Sequence, residues 1–187
     1  MKKRVFIAVN LPQNVKEKLE AIQKKTDSSF SFFNDFCPIK WTRKNSLHIT
    51  LLFLGNMEME DVFYAFEKTG ELAQKTAPFE IVLNGISYSP PDNPRLVWVN
   101  GEKSEELKEA HDFLEKELSG RGSKEFAPHI TLGRIKQWQF RKIDKEEIPR
   151  LEEINLRFKV NSIEVMESEL KKGGAAYTVL KSFSLES

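Results

Sequence analysis

The word His-Ile-Thr-Leu occurs twice, at 48–51 and again at 129–132, and each copy closes the same longer pattern. The first pattern is Arg4-Val-Phe-Ile-Ala-Val-Asn10, a helical stretch, then Leu47-His48-Ile49-Thr50-Leu51. The second is Arg95-Leu-Val-Trp-Val-Asn100, a helical stretch, then Pro128-His129-Ile130-Thr131-Leu132. Both read strand, helix, strand, so the chain is constrained to two half-repeats of one design. Side chains two apart on a strand share a face. His48 and Thr50 therefore point together, as do His129 and Thr131, with Ile49, Leu51, Ile130 and Leu132 turned to apolar packing. One such strand from each half would present two imidazoles and two hydroxyls to a common cleft.

The other elements follow from period and punctuation. Val5 to Val9 is an almost unbroken apolar run, as in a strand buried on both faces. Pro12 suits the first turn of a helix whose apolar residues Val15, Leu19 and Ile22 carry it to about Lys25. Thr26 to Pro38 reads as a loop. Asn45 to Leu54 reads as a strand stopped by a turn at Gly55-Asn56. Val62, Ala65, Phe66, Thr69, Leu72 and Ala73 mark a second amphipathic helix. Phe79 to Tyr88 and Arg95 to Val99 are strands joined tightly through Pro90-Pro91-Asp92-Asn93-Pro94. Ser104 suits an N-cap, Leu107, Ala110, Leu114 and Leu118 form an apolar stripe, and Gly120 and Gly122 end that helix. Ala127 to Arg134 is a strand and Lys136 to Glu153 is charged and irregular, with the Asp144 to Glu153 run a solvated loop. Phe158 to Glu167 and Ala175 to Leu185 close the chain as strands joined through Lys171-Lys172-Gly173-Gly174. Several strand connections are too short for a parallel crossover, which predicts α+β with mainly antiparallel sheets.

The chain of 187 residues can bury about 70% of its unfolded surface, so no metal or disulfide staple is required. Lys plus Arg is 29 against Asp plus Glu 28, a net charge of +1 that argues against coating a duplex or a membrane by bulk charge. One small anionic site remains compatible with it. The single cysteine, Cys37, between Phe36 and Pro38, has no partner for a disulfide and reads as a small apolar residue. The five apolar residues before Asn10 are too few for a signal peptide, and no apolar run reaches the ~20 residues that span a bilayer. A soluble, cytoplasmic protein is expected, and nothing in the sequence asks for more than a monomer.

Paired histidines suit phosphoryl chemistry near neutral pH. An imidazole titrates near 6.5, so one can remove a proton from water while the other protonates a leaving oxygen. The hydroxyls of Thr50 and Thr131 can donate to non-bridging oxygens as charge builds. Such chemistry needs neither metal nor cofactor.

Leu47-His48-Ile49-Thr50-Leu51-Leu52-Phe53-Leu54-Gly55 and Ala127-Pro128-His129-Ile130-Thr131-Leu132-Gly133-Arg134 resemble the paired motifs of the 2H phosphoesterases. Within them the chain is most similar to the bacterial and archaeal RNA 2′,3′-cyclic phosphodiesterases, formerly called 2′-5′ RNA ligases. The opening Val5-Phe6-Ile7-Ala8-Val9-Asn10-Leu11-Pro12 and the later Ser168-x-Leu170-x-x-x-Gly174-x-x-Tyr177-x-x-Leu180 match too, so the likeness runs from about residue 4 to 181. It implies one domain over 1–187 built of two interleaved, pseudo-symmetric lobes, with helices on the outer faces and the active-site cleft between them. It implies metal-independent hydrolysis of a terminal RNA 2′,3′-cyclic phosphate to a 2′-phosphate. The substrates would be RNA ends, including tRNA fragments, or small cyclic nucleotides. His48 is then the proton donor to the leaving 3′ oxygen and His129 the proton acceptor from water, an order the sequence by itself leaves open.

Arg134 matches the family's arginine five residues after the second histidine, and its guanidinium suits a phosphate. An odd offset from His129 sets it on the wrong face of a regular strand, unless a bulge or strand end near Gly133 intervenes. Trp41, Phe53 and Tyr177 could stack on a base. Phe53 shares the parity of Ile49 and Leu51, which points to core packing instead. Lys40, Arg43 and Lys44 could guide RNA phosphates. His111 lies on the inner stripe of its helix and reads as a partly buried, hydrogen-bonded histidine. Two alternatives stand beside hydrolysis: ATP-independent 2′-5′ ligation or another 2′-linked or cyclic phosphodiester on the same scaffold, and a module that binds RNA or nucleotides without catalysis.

Overall fold

The computed structural model describes residues 2–34, 37–119, 126–171 and 174–186. Among these, β1 (Lys3–Asn10), α1 (Gln13–Asn34), β2 (Ile39–Trp41), β3 (His48–Met57) and α2 (Met59–Lys75) form the first half-repeat. The second holds β4 (Phe79–Ser89), β5 (Leu96–Gly101), α3 (Glu105–Leu118), β6 (His129–Ile135) and the short α4 (Gln137–Phe140). Strands β7 (Leu156–Val160), β8 (Ser162–Lys171) and β9 (Gly174–Ser184) follow. The fold is α+β, as predicted. All strand pairs among the described residues are antiparallel, in the order β7-β4-β5-β6-β3-β1-β8-β9, with β2 also on β6.

The two halves correspond in their register. Asn10 pairs with His48 on β1–β3, and Asn100 pairs with His129 on β5–β6. The halves meet where β3 touches β6 through Ile49 and Ile130, and where β2 pairs with β6 from Ile39 to Trp41. One apolar core runs beneath both, with Leu19, Leu47, Ile49, Ile130 and Leu132 essentially solvent-free. Val5, Ile7 and Val9 face that core, while Phe6 and Ala8 pack with Met166 on the other side of β1. Helices α2 and α3 pack on each other and on β3. Ser104 caps α3 as expected, its hydroxyl accepting from Leu107 N at 3.2 Å. The expected helix stop at Gly120 and Gly122 lies outside the described residues. No helix among the described residues is long and apolar enough to cross a membrane.

Four local readings need correction. The stretch after Lys25 is helical to Asn34 rather than a loop. The hydroxyls of Ser28 and Ser29 bond back to the carbonyls of Lys24 and Lys25, which hides polar residues within the helix, and Phe30 continues the buried stripe. Gly55 does not end β3. It sits at φ +82° beside a bulge at Leu54, and the strand runs on to Met57. The run 158–167 is two strands, because the chain breaks at Asn161 and sends β7 to β4 and β8 to β1, at opposite sides of the sheet. The 144–153 run is not wholly solvated: Ile148 and Leu151 pack on the core, and Tyr88 Oη donates to Pro149 O at 2.9 Å.

Candidate active site

His48, Thr50, His129 and Thr131 line one cleft of about 310 Å³, together with Arg4, Phe6, Phe53, Arg134, Leu170 and Tyr177. Each histidine is anchored alike. His48 Nδ1 lies 2.8 Å from Ser46 O, and His129 Nδ1 lies 2.9 Å from Ala127 O. A carbonyl can only accept, so both rings carry their proton at Nδ1 when neutral. In each case the acceptor lies two residues upstream, so the duplicated motif carries its own tautomer lock. Nε2 is then the titrating nitrogen of both rings, and that of His48 lies 3.0 Å from Thr50 Oγ1. The ring of His48 forms a triangle with Phe6, centroids 4.9 Å apart, and Tyr177, edge-on at 5.1 Å, which also touch each other at 5.1 Å. Trp98 stacks on His129 at 4.0 Å.

The histidines differ in what lies behind them. Asn10, opposite His48, accepts from the buried ammonium of Lys16 at 2.7 Å, and Lys16 is only 7% exposed. Glu164 stands beside this pair, accepting from Asn10 N at 3.1 Å and from the hydroxyls of Ser162 and Ser182. Burial lowers the proton affinity of Lys16, and Glu164 opposes that shift. Asn100, opposite His129, is bonded through its side chain to the neutral hydroxyl of Ser87 at 3.1 Å. The His48 proton affinity is lowered, chiefly by burial and further by Lys16 and His129.

A bulge settles the parity of Arg134. Thr131 pairs with Trp98 and Gly133 with Val97, so Leu132 is skipped. Arg134 therefore returns to the face of His129 and Thr131 and lines the cleft. Gly133 is required there, since a Cβ would stand 2.5 Å from Ile39 Cγ2 and 3.0 Å from the Trp41 ring. The first half does the same. Thr50 pairs with Ala8 and Leu52 with Ile7, so Leu51 is skipped and Phe53 turns onto the face of His48 and Thr50. The core packing expected for Phe53 is thus overturned: it is 51% exposed, lines the cleft and lies 4.9 Å beneath the Arg4 guanidinium.

Of the other sequence candidates, Tyr177 is in the cleft and Trp41 is not. The Trp41 indole donates to Asp27 at 2.7 Å, and the ring packs against Gly133. Arg43 is exposed on a neighbouring hollow that shares Ser46 and Tyr177 with the cleft. Lys40 stands opposite Arg134 on β2. His111 is held as expected, Nδ1 to Leu51 O at 2.9 Å. Burial pushes the half-buried Cys37 thiol up to about 12, the reverse of what a nucleophile needs. No three His, Cys, Asp or Glu side chains among the described residues converge as a metal site. Sequence reasoning missed Phe6, Trp98, Lys16 and Arg4. The one available signal for Arg4, Phe6 and Trp98 was their place on the opening strands of the two half-repeats.

A two-lobed α+β sheet with duplicated His-x-Thr strands on one cleft defines the 2H phosphoesterase class. The sequence profile of the 2′-5′ RNA ligase superfamily matches residues 11–172, and the chain belongs to that superfamily. It is 29% identical over 183 residues to the RNA 2′,3′-cyclic phosphodiesterase of Methanocaldococcus jannaschii, covering 95% of this chain and 98% of that one. It is 32% identical to the Thermus thermophilus protein of the same name, covering 97% and 90%. The crystal structure of TT0787 of Thermus thermophilus superposes with a TM-score of 0.77 at 32% identity over 97% of both chains. Apo LigT of E. coli shares the fold with a TM-score of 0.79 at 22% identity, covering 100% of this chain and 99% of that one.

Proposed function

We propose that the chain hydrolyses the 2′,3′-cyclic phosphate at an RNA end to a 2′-phosphomonoester, without a metal ion, by proton transfer between two histidines. The observation that carries this is the matched pair of Nδ1 locks, which leaves Nε2 as the working nitrogen of each ring in one cleft. The activity named for relatives at 29% and 32% identity supports the substrate.

His129 Nε2 takes a proton from water as the water oxygen bonds to phosphorus. The bond from phosphorus to the 3′ oxygen breaks, and His48 Nε2–H supplies the proton that oxygen needs. Lowered proton affinity makes His48 the readier donor once charged, and the phosphate anion beside it stabilises the imidazolium beforehand. Thr50, Thr131 and Arg134 meet the non-bridging oxygens, where charge accumulates. Phe53, under Arg4, and Tyr177 each present an aromatic ring to the cleft on which a base can stack.

The test is turnover of a 2′,3′-cyclic-ended oligonucleotide and of nucleoside 2′,3′-cyclic monophosphates with EDTA present. The expected product is a 2′-phosphate. Binding without turnover would make the chain a binding module, and activity abolished by EDTA would sink the two-histidine mechanism.

A further inference from the structure

The two bulges that turn Phe53 and Arg134 into the cleft are each met by one polar side chain from a helix. On β6, the bulged residue Leu132 has its carbonyl bonded by Thr42 N at 2.8 Å and by Gln23 Nε2 of α1 at 2.9 Å, and the same amide reaches Thr42 O at 2.9 Å, so Gln23 bridges the bulge and the Thr42 backbone. Both acceptors are carbonyls, so both Gln23 hydrogens are committed and the orientation of its amide is settled. Gln23 is 5% exposed and among the few polar residues buried in the core. On β3, the bulged Leu51 has its carbonyl bonded by His111 Nδ1 of α3 at 2.9 Å. The pattern is exchanged between halves: the helix of the first half holds the strand of the second, and the reverse.

We propose that Gln23 and His111 are positioning residues, which hold the bulges at Leu132 and Leu51 and thereby aim Arg134 and Phe53 at the substrate. A skipped residue takes its backbone out of step with the neighbouring strand. Taking a side-chain donor from a buried carbonyl costs up to roughly 5- to 100-fold in an equilibrium constant; Leu132 O keeps the Thr42 N–H, so what Gln23 adds on β6 is the bridge from Leu132 O to Thr42 O. Without the clamp, a regular ladder becomes the competing state, and restoring alternation sends every later side chain to the opposite face. Arg134 would leave the cleft and Phe53 would turn inward. His48, Thr50, His129 and Thr131 precede the bulges and keep their places. Each clamp therefore acts on one substrate contact and spares the acid–base pair.

The kinetic arm of the test rests on the phosphodiesterase reading, and the structural arm does not. Gln23→Met keeps the length and apolar packing but removes both donors. His111→Phe keeps the ring and removes Nδ1–H, and His111→Asn restores a donor near that position. Gln23→Met is expected to raise KM for a 2′,3′-cyclic-ended oligonucleotide about 10-fold, with kcat changed far less. Combined with Arg134→Ala it should add nothing further, while with Phe53→Ala the two effects should multiply. His111→Phe should show the opposite coupling, lost with Phe53→Ala and kept with Arg134→Ala, and His111→Asn should recover most of the loss. Effects that multiply in all four pairs overturn the proposal. A crystal structure of Gln23→Met with Arg134 still in the cleft and Leu132 still bulged overturns it whatever the activity. If Gln23→Met does not fold, the structure of His111→Phe decides the same question at Leu51 and Phe53. A wild-type protein inert on cyclic phosphates would refute the phosphodiesterase reading alone.

Discussion

Ile49 and Ile130 pair across β3 and β6, and among the described residues no second rung joins these strands. His48 and His129 each precede that rung by one residue on antiparallel strands, so they stand diagonally across it on one face. Continuing the register sets His48 across from Thr131 and His129 across from Thr50. The four side chains thus form a quartet around the local two-fold relation between the halves. Both isoleucines are solvent-free beneath them, which fixes the quartet to the core.

Loss of either imidazole from this quartet should be nearly equivalent. His48→Ala and His129→Ala are each expected to lower kcat by roughly 10²–10⁴-fold or more, with little change in melting temperature. His111→Ala should act mainly on KM. Steady-state kinetics on a cyclic nucleotide decides, and a kcat loss at His111 equal to the other two would contradict the assignment.

The proposed acid–base pair predicts a bell-shaped pH–rate profile, and the surroundings of His48 give one limb a direction. Burial, Lys16 and His129 all lower its proton affinity below the ordinary value of 6.5. Replacing both buried charges, as in Lys16→Met/Glu164→Gln, should move the His48 titration upward, read by NMR of its ring protons. The folded chain also holds the His48 proton less tightly than the unfolded chain. Its contribution to stability is therefore complete above the unfolded value and declines as pH falls through the folded one.

Phe53 is exposed in the cleft, and on the proposed function its ring stacks on the base. Phe53→Ala should raise KM for cyclic nucleotides, since base stacking is worth about 1–3 kcal/mol. Phe53→Trp should keep KM near wild type. Equal KM values for all three proteins would remove Phe53 from the substrate site.

Gly133→Ala tests the close approach of β2 to β6. Its Cβ would lie 2.5 Å from Ile39 Cγ2. A loss of about 1–3 kcal/mol is expected from overpacking, measured by chemical denaturation. An unchanged midpoint would show that Ile39 and Trp41 can shift without cost.

The sequence disclosed the half-repeats because the same short word recurred in the same context, and alternation then set His48 with Thr50 and His129 with Thr131, the four side chains that line the cleft. Alternation failed at Phe53, since a bulge changes the count by one and leaves no residue type as a mark; Leu51 looks like any core leucine. Arg134 was recoverable from its match to the family's arginine five residues after His129, with Gly133 hinting at the irregularity that alternation alone would miss. The end of α1 was hidden by Ser28 and Ser29, whose hydroxyls bond within the helix and depress its apparent propensity. Lys16 could not be found at all, because its setting depends on Glu164, far along the chain and adjacent only after folding.

A scaffold with two like halves would, left alone, accept a phosphodiester in either of two orientations related by half a turn. The equivalent offsets carry an aromatic ring at Phe53 and a cation at Arg134, and the equivalent asparagines rest on an ammonium at Lys16 and a hydroxyl at Ser87. On the proposed function, these inequalities would make one orientation better than its reverse. Duplication would supply the machinery, and a handful of mismatched side chains would tell it which end of the bond to break.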